Sequence, residues 1–242
     1  MSEANLRIGT VGYPVRNRDR VLQNVTLVEL TEGKRIPPSP KTARKWRSGA
    51  PGAVGFTVQM SNHLFEPVEE GGAFPGEASG YGDLRLSEEN LDLWKRGLDF
   101  AAAVEALALV LVTPSRLTPS RPNQDAFAAF LDGVKGDTPP VIWEPHGPWE
   151  IEQAADFAAE KGLVLAVDPL RDDAPEGPLA YFRLGPFSSM GSRLGIYDLE
   201  RLADAAAAFE RTMCVFDTPR ALDDARNLTK LIDGQDLDAD LD

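Results

Sequence analysis

SEENLDLWKRGLDFAAAVEALALVLV, residues 87–112, carries two periodicities in succession. Its first part, opened by Ser87-Glu88-Glu89-Asn90 and running through about Val104, has the polar start and helical spacing of an amphipathic helix. Its last part, LALVLV (Leu107–Val112), is an unbroken apolar run with the length of a strand buried on both faces. Glu105 separates the two, so even this stretch falls short of the roughly 18 apolar residues that a membrane span requires. A helix that hands over directly to a fully apolar strand is the repeating unit of a parallel sheet.

The same alternation extends in both directions. LRIGTVG (Leu6–Gly12), VTLVEL (Val25–Leu30) and VGFTVQ (Val54–Gln59) precede it; PVIWE (Pro140–Glu144), LVLAVD (Leu163–Asp168), LAYFRL (Leu179–Leu184) and MCVFD (Met213–Asp217) follow. Eight such runs in 242 residues are the count of a closed (β/α)8 barrel of the TIM type, in which ligands collect where the strands end. The reading is one domain over residues 6–232, followed by a solvated acidic tail at 233–242 with five aspartates in ten residues. Helical spacing is expected over 15–22, from Ser39-Pro40 to Arg47, and over 124–134, 149–161 (ended by Gly162), 198–211 and 221–232. Residues 62–86 hold five glycines and two prolines without sustained periodicity, which predicts a long loop after the third strand, a lid or an unstructured excursion least ordered over 71–82.

Net charge is −13, with 38 acidic and 25 basic side chains, only seven of them lysine. Such a surface repels phosphate backbones and disfavours nucleic acid as a partner; low lysine with abundant aspartate also suits proteins adapted to high salt. The start, MSEANLRIG, enters the first strand with neither a basic segment nor an apolar signal, so a cytoplasmic protein is expected. Cys214, the single cysteine, stands inside MCVFD and reads as a buried, inert thiol. No Walker loop, GxGxxG fingerprint or GxSxG elbow is present, so no nucleotide cofactor motif and no serine-hydrolase motif supports those chemistries.

Several segments match a known pattern in order: RIGTVGY (Arg7–Tyr13), VTLVEL, PSPKTARKW (Pro38–Trp46), PSRLTPSRPNQDAFAAFL (Pro114–Leu131), VIWEPHGPW (Val141–Trp149), YFRLG (Tyr181–Gly185) and VFDT with RNL behind it. Together they resemble the YecE-like domain-of-unknown-function family, number seventy-two. The resemblance covers nearly the whole chain and implies a TIM-type barrel, but supplies no established reaction. It also implies a divergent member. Glu29 matches the family's acidic residue at strand two, but Leu30-Thr31-Glu32-Gly33 follows in place of a polar run. Gln59 stands for a lysine, Leu111 for a glutamine, Glu144-Pro145-His146 for a glutamate-aromatic-arginine-histidine sequence, Gly185 for a histidine, and Asp217-Thr218 for paired asparagines.

Read from the residues alone, the ionisable groups at strand ends are Glu29, Glu144, His146, Asp168, Arg183 and Asp217, with the four carboxylates expected at a common end. Carboxylates in such runs are costly to bury unpaired, so their recurrence marks a site or an ion-pair network. Glu29, Glu144, His146, Asp168 and Asp217 are the candidate catalytic residues, either holding a divalent metal or acting as metal-free acid and base. Spacing alone leaves those alternatives open. His146 is favoured for proton transfer; His63 reads as a cap on neighbouring backbone. Arg183, in an apolar strand, must have a partner, either Asp168 or Asp217 or a bound anion. Gly12, Tyr13, Arg183, Ser188 and Arg193 are the candidate ligand-binding residues, and the glycine- and serine-rich Gly185–Gly195 suits an anion where barrels often hold phosphate. The function expected is a small-molecule enzyme, hydrolysing or isomerising an anionic, sugar-like substrate. The alternative is a non-catalytic ligand-binding or interaction protein with an eroded site. Oligomeric state is not legible.

Overall fold

The computed structural model describes residues 5–69, 74–186, 188 and 194–237. Eight parallel strands close in the order of the chain: β1 (Leu6–Val11), β2 (Leu27–Leu30), β3 (Gly55–Gln59), β4 (Ala108–Thr113), β5 (Val141–Pro145), β6 (Val164–Val167), β7 (Leu179–Leu184) and β8 (Arg211–Phe216). This is the TIM-type barrel that the eight runs predicted, and each strand lies on its expected run. Every residue of β2, β3 and β7 is buried, as strands covered on both faces must be.

The chain forms two compact units, one of residues 1–29, 50–56 and 165–242, the other of 30–49 and 57–164. In the first, β1 pairs with β2 and β8, and β7 with β6 and β8. Gly9 makes the β1–β2 approach possible, since a Cβ there would lie 1.7 Å from the Leu27 carbonyl oxygen. The helices of this unit are α1 (Arg18–Leu22), α6 (Ile196–Ala207) and α7 (Ala221–Ile232). Helix α6 ends four residues before the expected Arg211, because Arg211 and Thr212 already pair with Leu179 and Ala180 of β7. No helix joins β6 to β7, although residues 168–178 are all described.

The second unit contains α2 (Pro40–Gly49), α3 (Glu88–Ala103), α4 (Arg121–Gly133) and α5 (Ile151–Lys161), with β4 paired to β3 and β5. Ser87 caps α3 by accepting from Asn90 N, and the helix buries Leu93, Trp94, Gly97, Phe100 and Ala101, one face at helical spacing. Gly162 ends α5 in the left-handed conformation at φ 68°.

The connection after β3 is more structured than its glycines suggest. It contains 3-10 turns at Asn62–Leu64 and Ala78–Gly80, and buried Asn90 fastens it by donating to the Gly82 and Arg85 carbonyls. Asp83 and Leu84 have positive φ and are held by backbone bonds to Phe65 and Leu64 and by Arg116 against Asp83 at 2.9 Å. The expectation of a structureless excursion is therefore corrected over 74–86; residues 70–73 lie outside the described residues. So does the second half of the acidic tail, from 238 onward.

Candidate functional site

The first unit gathers three of the expected residues. In a strand, side chains alternate between faces, so Glu29 shares a face with Leu27, Arg183 with Tyr181, and Asp217 with Val215. Strands β2 and β7 are not neighbours in the sheet, so a contact between them crosses the barrel interior. That contact exists. The Arg183 guanidinium grips Glu29 with Nε 3.2 Å from Oε2 and Nη2 3.2 Å from Oε1, while the Tyr181 hydroxyl donates to Oε2 at 2.7 Å. Glu29 is fully buried and Arg183 only 8% exposed along its side chain. Arg183 is level with Val215 in the register, which puts Asp217 one step further along the same face; its Oδ2 lies 3.5 Å from Nη2.

The expected partner Asp217 is thus present but secondary, and Glu29 is the main one. Asp168, also expected as a partner, accepts from Leu170 N at 3.1 Å. A buried carboxylate with three charge-assisted or hydroxyl donors is a structural ion pair, and removing one member costs about 3–5 kcal/mol. Tyr181 escaped the sequence reading, yet its position two residues before Arg183 in a period-two strand was the available signal.

Asp168 follows β6 directly, and burial pushes its carboxyl above the usual carboxylate range, opposed by the Leu170 amide, by Arg171 and by the Ser188 hydroxyl, which approaches without full hydrogen-bond geometry. Gly12 has φ 61° and donates its N–H to the Glu29 carbonyl at 2.7 Å, so its role in this structure is to join the ends of β1 and β2. Tyr13 carries Arg18 over its ring at 4.6 Å. Arg193 lies outside the described residues. Asp224 was missed altogether: buried on α7, it accepts from Thr218 Oγ1 and from Leu194 N, tying the connections after β7 and β8. Its burial also raises its carboxyl pKa.

The second unit brings Glu144 and His146 together, with His146 Nε2 3.4 Å from Glu144 Oε1. The imidazole is half exposed and the carboxylate largely buried. The turn is set by Pro145 and Pro148 and by His146 N donating to the Thr113 carbonyl at 3.1 Å. Beneath it Trp143 is buried, its Nε1 donating to Thr113 Oγ1 at 3.1 Å, and Trp149 packs edge-on against it at 4.9 Å. Gln59, the last residue of β3, is buried with an Oε1 that has no hydrogen-bond partner among the described residues. That is an acceptor suited to a ligand hydroxyl or a water. His63 is occupied as expected of a cap, its Nδ1 against the Glu66 and Pro67 carbonyls and its ring edge-on to Phe74.

Among the described residues no three His, Cys, Asp or Glu side chains stand close enough to hold a metal ion. The best-placed carboxylate, Glu29, is already committed to Arg183 and Tyr181, so this donor set does not fit the divalent-metal alternative. Cys214 is buried and desolvation pushes its thiol pKa up, the opposite of the shift that activates a thiolate.

Comparison with solved structures agrees with the closed barrel. A DUF72 family protein from Enterococcus faecalis superposes with a TM-score of 0.68 at 15% identity, covering 95% of this chain and 98% of that one. The chain has the fold of that DUF72 protein. Endonuclease IV from Thermus thermophilus follows at TM-score 0.55 and 14% identity, over 94% and 98% of the two chains. A D-psicose 3-epimerase, solved in the presence of D-fructose, reaches 0.54 at 11% identity over 88% and 90%. No family model matches the chain, and neither does any curated protein. Among the described residues no helix is long and apolar enough to cross a membrane.

Proposed function

We propose that this chain is a divergent member of the DUF72 family and a cytoplasmic small-molecule enzyme. In this reading one domain over 6–232 hydrolyses or isomerises an anionic, sugar-like substrate by metal-free acid-base chemistry at the carboxyl ends of its strands. The observation that carries it is the Glu144–His146 pair. A half-exposed imidazole facing a largely buried carboxylate in a proline-fixed turn is the arrangement of a proton carrier and its orienting group. In the first unit Asp168 is a separate acid candidate, because burial lets its carboxyl keep a proton to higher pH than a solvated aspartate. The barrel likeness to a D-psicose 3-epimerase supports a sugar-like substrate. The net charge of −13 argues against nucleic acid.

The test is proton NMR of a panel of aldoses, ketoses, sugar acids and glycosides incubated with the protein in heavy water. Protein-dependent loss of a carbon-bound proton signal, or appearance of hydrolysis products, is expected, and His146→Asn abolishes it. The alternative is a binding protein with an eroded site, and one observation favours it: Glu29 is saturated by internal donors. Line broadening of a panel member without any turnover would establish that alternative.

A further inference from the structure

We propose that the outer face of the first unit beside β7 is a docking groove for an amphipathic helix of another protein, one whose leucine stripe is flanked by lysine or arginine. The inference is independent of the enzyme reading.

An irregularity of the barrel sets the place. In a regular (β/α)8 fold a helix follows every strand and covers the outside of the sheet. Residues 168–178, all described, join β6 to β7 without one. Between this connection and the C-terminal end of α6 lies a groove of about 510 Å³, and every residue that lines it belongs to the first unit.

Its floor is apolar. Ala205, Ala208 and Phe209 stand at i, i+3 and i+4, so they form one stripe where α6 ends. Ala208 is exposed, and Ala205 and Phe209 are half-buried. Phe182 of β7 is buried in the same floor, with Phe209 edge-on to it at 6.1 Å. Two alanines in that stripe leave room for the larger side chains of an approaching helix, the condition for ridges to enter grooves.

The opposite wall carries charge of one sign. Asp172, Asp173 and Glu176 are exposed on the β6–β7 connection, and no lysine, arginine or histidine lines the groove. A partner with cations beside its apolar stripe relieves the repulsion among these carboxylates, whereas a second copy of a chain with net charge −13 adds to it. A helix is the occupant assigned because the groove stands where the fold otherwise places one, and because a stripe at helical spacing packs against another helix.

The test is a fluorescence anisotropy titration of the full chain into a labelled peptide with leucine at i, i+3, i+4 and i+7 and lysine elsewhere. Beside it run a scrambled peptide of the same composition and a peptide with glutamate in place of lysine. The patterned lysine peptide should bind about tenfold more tightly than either, and Ala208→Arg, or Asp172→Lys with Asp173→Lys, should each weaken it about tenfold. These three residues are exposed, so the variants keep the fold. Asp132→Lys with Asp137→Lys makes the same change in net charge on exposed positions of the second unit and should leave binding unchanged. Equal affinity for the scrambled peptide, equal weakening by the Asp132 and Asp137 pair, or indifference to the groove variants overturns the proposal. So does self-association in sedimentation that Ala208→Arg abolishes, because the occupant is then a second copy.

Discussion

Glu29 and Glu144 are the same residue type near the ends of parallel strands, yet they stand in opposite situations. Glu29 is sealed among Arg183 and Tyr181 with no exposure, whereas Glu144 faces a half-exposed imidazole. The Glu29 carboxylate itself is closed off, because reaching it would mean breaking a buried pair; the Glu144 arrangement presents an imidazole to solvent. Position along the strand therefore does not separate a carboxylate closed off by internal donors from one that faces an exposed ring. Burial and the identity of the donor do.

The largest effect that could break this contrast is expected at Arg183. Its replacement by methionine should cost about 3–5 kcal/mol through the charge left on Glu29, measured by urea unfolding at neutral pH. Replacing both partners, Glu29→Leu with Arg183→Met, should recover much of that loss, since the two opposite charges are then removed together. A single variant as stable as wild type would mean that Glu29 is not buried in charged form.

His146→Asn should behave in the opposite way. It should lower turnover by about 10²–10⁴-fold while leaving stability within about 0.5 kcal/mol, read by substrate proton exchange beside thermal melting. Loss of stability comparable to that at Arg183 would dissolve the contrast.

Asp168 sharpens it through pH. Because its folded pKa is raised, the folded protein holds its proton more tightly than the unfolded chain, and ionisation above the raised value opposes folding. Asp168→Asn should therefore raise the melting temperature at neutral pH. The gain should shrink as pH falls through the folded value and vanish below about 3.9, the unfolded one. A constant gain across that range would show that desolvation of the charge is not its source.

The smallest effect is expected at Asp83, whose carboxyl is held below the usual range first by the Arg116 hydrogen bond. This pair is half exposed, so Asp83→Asn should cost less than about 1 kcal/mol. The lost contribution is one present above the unfolded pKa and fading as pH falls through the lower folded value, and melting at several pH values checks it.

Much of the fold was legible in the chain itself. Apolar runs such as LAYFRL and LALVLV identify parallel strands because both faces of such a strand are covered, and Ser87 and Gly162 mark helix ends through local backbone chemistry. The requirement that Arg183 be paired also followed from a guanidinium in an apolar strand. Its principal partner did not: Glu29 lies 154 residues away, and only the closing of the sheet brings β2 opposite β7. Asp224 and the fastening of residues 74–86 by Asn90 were hidden for the same reason, since each depends on which backbone groups arrive from other elements. Periodicity is set by the local geometry of helix and strand and can be read one segment at a time. Which carboxylate is buried, and against which donor, is set by contacts between strands that are distant in sequence, and only the tertiary structure decides it.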